Sequence, residues 1–139
     1  MQNKFVQYSR IGIIVWVLLQ TTRLIAIPLI NDVIDGITTG AWLYPAILDV
    51  VIAIMAPFTA FLLWKKKGLF VWTFAVVFFV VSIIDHGDAV TASYIAEVPK
   101  VFKEMGAENA SGPPMFQTLV DIIALILLSN KRIRTFYLG

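Results

Sequence analysis

The sequence predicts an all-α integral membrane protein. It reads as a single four-helix transmembrane domain over residues 1–139, an N-in/C-in antiparallel bundle with a short outer interfacial helix between helices three and four. Three observations predict it. Apolar residues fill 59% of the 139 positions and charged residues only 14%, against roughly 45–50% and 25% in soluble domains. Four runs approach the ~20 apolar residues that a helix needs to cross a hydrocarbon layer. The charges outside those runs sort by sign.

The first expected span covers residues 11–30 behind Lys4 and Arg10. That start resembles a signal peptide, but the apolar run is too long for an h-region and no A-x-A cleavage pattern follows, so the helix is expected to be retained. Asn31 to Ala41 (NDVIDGITTGA) permits a turn and does not match the spacing of a calcium loop. The second span, residues 45–64, contains Pro57, which predicts a kink and a freed Ala53 carbonyl. A lysine turn, Lys65-Lys66-Lys67, leads into the third span, residues 69–92. Val98, Val101, Phe102 and Met105 then fall at helical spacing with Pro99 in a tolerated first-turn position, predicting the surface helix. GAENASGPP reads as linker, and Asn109-Ala110-Ser111 matches a glycosylation acceptor. The fourth span covers residues 115–129 and ends in a basic tail, Lys131, Arg132 and Arg134.

The N-terminus, the lysine turn and the tail carry eight basic residues and no acidic one. The two longer connections hold Asp32, Asp35, Glu97, Glu104 and Glu108 against Lys100 and Lys103. By the positive-inside rule both termini are expected in the cytoplasm, with the longer loops outside. The basic clusters suit topology and anionic lipid rather than nucleic acid. Trp64 and Trp72 flank the inner turn, while Trp42, Tyr44 and Tyr94 fall at the outer interface, where amphipathic rings anchor.

The informative residues are polar ones inside the spans: Gln20 and Arg23, then Asp49, then Asp85, His86 and Asp88, then Gln117 and Asp121. Each ionisable group at the bilayer centre costs roughly 2.5–3.5 kcal/mol, so such groups face a bundle interior or a watery cavity. At ~1.5 Å rise per residue, Arg23 lies ~18 Å and Asp85 ~24 Å above the inner edge of a ~30 Å layer. Asp49 lies ~6 Å and Asp121 ~9–16 Å below the outer ends of their helices. All fall in the outer half. Helical periodicity gives matching stripes: Trp16, Gln20, Arg23, Ile27; Asp49, Ala53, Ala56, Ala60; Ser82, Asp85, Asp88, Ala89, Ala92; and Gln117, Asp121, Ala124, Leu128.

Asp85-His86-Gly87-Asp88 is the sharpest motif. Asp85 and Asp88 share a helix face and suit joint chelation, His86 points about 100° away, and Gly87 removes bulk where a backbone or ligand approaches. With Asp49 and Asp121 the cluster is net negative even after Arg23 is counted, and predicts a divalent metal ion or proton site with Arg23, Gln20 and Gln117 as ion-pair or supporting residues. One imidazole leaves the metal's identity open. The bland alternative pairs Arg23 with Asp121, makes Asp49 a helix N-terminal charge, and leaves Asp85, His86 and Asp88 solvated at the headgroups.

The first expectation for function is an accessory or structural subunit of a larger membrane complex, with the Phe74, Val77, Phe78 and Val81 faces free for contact with other subunits or a second copy. The alternatives are an oligomeric cation or proton channel or carrier, and a metal-dependent membrane enzyme. With no cysteine and one histidine, thiolate sites, bis-histidine haem and three-histidine zinc are excluded. No lysine lies in a span for retinal, and no nucleotide motif or nucleophile elbow occurs.

Overall fold

The computed structural model describes residues 3–106 and 111–139, and all its regular elements are helical. Four helical stretches are long and apolar enough to cross a membrane: Lys4–Ile34, Gly40–Lys65, Leu69–Ile95 and Gly112–Ser129. The outward faces carry bare aliphatic and aromatic side chains such as Leu18, Ile54, Phe61, Val80, Ile84 and Ile126. Asn109 and Ala110, and with them the glycosylation triplet and part of the expected linker, lie outside the described residues.

The first stretch is longer than expected and is not one uniform helix. Helix α1 (Lys4–Leu19) tightens into a 3-10 segment at Gln20–Ile25, then relaxes into α2 (Ala26–Ile34). The local sequence explains the change. Thr21 and Thr22 donate their hydroxyls to Leu18 O and Leu19 O, each at 2.7 Å, a side-chain competitor for helix carbonyls. Pro28 has no N–H to offer and sits in the first turn of α2, where a proline is tolerated. In a 3-10 turn residues i and i+3 eclipse, so Gln20 and Arg23 stack on one side. The altered winding also turns Ala26 inward (2% exposed) and leaves Ile27, expected on the polar stripe, 45% exposed.

Helix α3 (Leu43–Lys65) follows a short 3-10 turn at Gly40–Trp42, and α4 (Leu69–Ile95) follows the lysine turn. Helix α3 runs without a break through Pro57, whose ring faces outward. Gly68 adopts φ +113°, which a side chain would strain. Helix α5 (Lys100–Glu104) is short, and α6 (Gly112–Ser129) begins earlier than expected because Pro113 and Pro114 serve as its first turn rather than as linker. Helix α4 packs between α3 and α6, and α3 packs against the first stretch.

The tail is the larger surprise. Residues Lys131–Leu138 form α7, capped by the Asn130 side chain, which accepts from Arg132 N at 3.0 Å. Ile133 and Tyr137 of this basic segment are buried in the main core with Val17, Leu63, Ala75, Phe79 and Leu128. Tyr137 donates to Leu63 O at 3.1 Å and accepts from Arg10 Nε at 3.3 Å, and its own carbonyl accepts from Gly68 N at 2.7 Å. The Arg10 guanidinium lies 4.0 Å from the Phe136 ring centroid. Phe78 also belongs to this core, so it is not free for a partner as the sequence pattern suggested.

Burial pushes the Tyr137 phenol above the usual tyrosine range, with the Arg10 hydrogen bond and charge pulling the other way. The folded state therefore holds this proton more tightly than the unfolded chain. That contribution to stability is complete below the unfolded tyrosine value of ~10 and is lost as pH rises through the folded one. Tyr137→Phe is expected to cost about 1 kcal/mol at neutral pH. The gap between wild type and variant should narrow in strongly alkaline solution, as thermal melting across pH would show; a gap that stays constant contradicts the assignment.

Candidate functional site

Between the apolar core and the loop end of the bundle lies a connected polar network drawn from all four long stretches. Arg23, 4% exposed, is its hub. Its Nε donates to Gln20 Oε1 at 2.5 Å, the contact that the eclipsed 3-10 turn sets up. Its Nη1 donates to Asp49 Oδ1 on α3 at 2.9 Å and to Asp85 Oδ2 on α4 at 2.5 Å. Its Nη2 donates to Ser82 Oγ at 2.5 Å and meets His86 Nε2. A guanidinium has five N–H donors in a rigid fork and no acceptor. That geometry is what lets one side chain tie three helices together.

Asp121 on α6, fully buried, closes the other side. It accepts from Trp16 Nε1 at 2.7 Å and Gln20 Nε2 at 3.3 Å through Oδ1, and from Ser82 Oγ at 2.6 Å through Oδ2. Ser82 therefore relays between hub and acid, accepting from Arg23 and donating to Asp121. His86 Nδ1 stands 3.5 Å from Asp121 Oδ2 and makes no hydrogen bond. Because Arg23 can only donate, His86 Nε2 must accept, which fixes the neutral imidazole with its proton on Nδ1.

The convergence expected for Asp49, Asp85, His86, Asp121, Arg23 and Gln20 is present, but its centre differs from a metal cage. Among the described residues no three His, Asp or Glu side chains are grouped as a metal ion would need. The guanidinium occupies the middle, and His86 spends its lone pair on it. Asp88 does not join Asp85: it is half-buried and makes no hydrogen bond or ion pair among the described residues, whereas Asp85 is 1% exposed. Gly87 answers no close approach, since nothing lies within 4 Å of where its Cβ would be. Arg23 pairs with Asp49 and Asp85 rather than with Asp121. Gln117 is half-buried and lines a cavity beside His86.

Two contributors were missing from the expected site. Trp16 and Ser82 lay on the right stripes by periodicity, yet hydroxyl and indole groups carry no charge to mark them. Trp42 also changes role: it is 2% exposed, donates Nε1 to Glu97 O at 3.1 Å and meets Phe102 edge to face at 5.7 Å. It pins the α4–α5 connection over the bundle end with Ala26, Leu29, Ala46 and Ala92, instead of anchoring in lipid. Tyr44 and Tyr94 remain exposed, as anchors would be. Comparison with protein-family models, with curated proteins and with solved structures gave no match for this chain.

Proposed function

We propose that the chain is a small membrane-embedded subunit whose Arg23-centred network holds protons, with both termini on the cytoplasmic side. The observation that carries this reading is a charge imbalance at fixed geometry. Three carboxyls, Asp49, Asp85 and Asp121, gather around one guanidinium, and the only imidazole accepts from Arg23 and so adds no positive charge. Two uncompensated negative charges in a bundle interior are costly, and protons are the smallest cations that remove them. Asp49 Oδ1 and Asp85 Oδ2 both accept from the one Arg23 nitrogen, Nη1. That pair is the natural seat of one proton.

The subunit role rests on what the bundle lacks. From the network toward the lysine turn the described core is closed by Val17, Leu63, Phe79 and Leu128, each 0% exposed. Among the described residues no polar route continues, which disfavours a one-chain channel or carrier and suits a fixed site acting within a larger assembly. Native-gel separation after mild detergent extraction is expected to find the chain in a hetero-complex. A pH jump followed with an indicator dye tests the site itself: wild type is expected to exchange protons that folded Asp85→Asn does not. Equal exchange by both would remove the proton-holding reading.

A further inference from the structure

A partly open cavity of about 210 Å³ sits directly over the network. Apolar cavities of roughly 150 Å³ hold a benzene ring, so this one has room for a ring and a small substituent. Leu29, Trp42, Ala46 and Phe102 supply apolar and aromatic wall, and Arg23, Asp49 and His86 lie in its floor. Asp49 alone of the three carboxyls opens toward the cavity: its side chain is 26% exposed, while Asp85 and Asp121 are 1% and 0%. His86, 2% exposed, lines the same space.

Arg23 shares one nitrogen between Asp49 and Asp85, and with Asp121 the network under the chamber keeps a negative formal charge, so its complement is a cation. Calcium and magnesium want about six oxygen ligands, and one accessible carboxylate in an apolar wall falls far short. An alkylated nitrogen needs much less. Its charge is met by a single carboxylate and by aromatic faces, and its carbon shell by apolar side chains. We propose that this cavity binds a small organic cation, an amine or quaternary ammonium on a ring-sized apolar group, with its charge against Asp49 and its body against Leu29, Trp42 and Phe102. The proposal rests on the proton-holding reading, because a cation at Asp49 takes the place of a proton and its binding releases one.

Benzyltrimethylammonium is a suitable probe, since its charge does not change with pH. Calorimetric titration of the full chain in lipid nanodiscs, in two buffers of different ionisation enthalpy, is expected to show saturable binding with proton release. Asp49→Asn should weaken it by about tenfold or more, and uncharged benzyl alcohol should bind wild type correspondingly worse. Ala89→Phe puts a ring into the cavity from α4 and leaves Asp49 in place, so a variant that still melts as a folded protein should lose binding. The cation site is overturned if no saturable binding appears, if Asp49→Asn and Ala89→Phe bind as wild type does, or if benzyl alcohol binds equally well. Binding without proton release overturns the exchange and the proton-holding reading with it. Absent binding in a protein that still exchanges protons through Asp85 overturns the cation site alone.

Discussion

Arg23→Leu is expected to lower the stability of the bundle by about 3–5 kcal/mol, the loss seen when one partner of a buried ion pair is removed. The reason is geometric as well as electrostatic. One guanidinium donates to Gln20, Asp49, Asp85 and Ser82 and reaches His86, so its loss leaves acceptors on three helices without a donor. Arg23→Lys keeps the charge but concentrates three donors on one nitrogen, and should recover only part of the loss. Arg23→Leu combined with Asp85→Leu should be more stable than Arg23→Leu alone, because an apolar replacement of both partners of a buried pair is often near neutral. Denaturant titration in micelles reads all three. An Arg23→Leu variant within about 0.5 kcal/mol of wild type, the range of unremarkable surface changes, would contradict the hub assignment.

Asp121→Leu carries the second large effect. The carboxyl takes three neutral donors, Trp16 Nε1, Gln20 Nε2 and Ser82 Oγ, and each buried donor left unmatched costs about 1–3 kcal/mol. Donors in one network turn toward each other, so the losses do not add. A total of about 2–4 kcal/mol is expected. Asp121→Asn keeps the shape and one acceptor oxygen and should lose less. Trp16 supplies a local readout, because its fluorescence should shift in Asp121→Leu as the indole loses its 2.7 Å partner. An unshifted Trp16 signal with wild-type stability would show that α6 does not hold the first stretch through this acid.

The layering of polar residues was legible in the sequence because it depends only on helical rise and on the aversion of charge for lipid. The inward faces Ala53, Ala56 and Ala60, and Ala124 and Leu128, follow from the 3.6-residue period and are buried. Which acid meets which base was not legible. Depth puts Arg23 level with several carboxyls, and only the rotation of each helix chooses Asp49 and Asp85 over Asp121. The 3-10 segment had local signals in Thr21, Thr22 and Pro28, but its consequence, the stacking of Arg23 on Gln20, appears only once the winding is known. Helix α7 was hidden by composition. Its basic residues mark it as a tail, while Ile133 and Tyr137, four apart, put one apolar stripe into the core. The Asp85–Asp88 chelate failed for a converse reason: sharing a face on one helix says nothing of what that face meets, and Asp88 stays half-buried and outside the Arg23 network.

Infrared spectroscopy of the protein in lipid reads the state of its carboxyl groups directly. A carbonyl stretch from protonated carboxyl should be present in wild type near neutral pH, shift in deuterium oxide, and shrink in Asp85→Asn. A wild-type spectrum with every carboxyl ionised would contradict proton storage around Arg23.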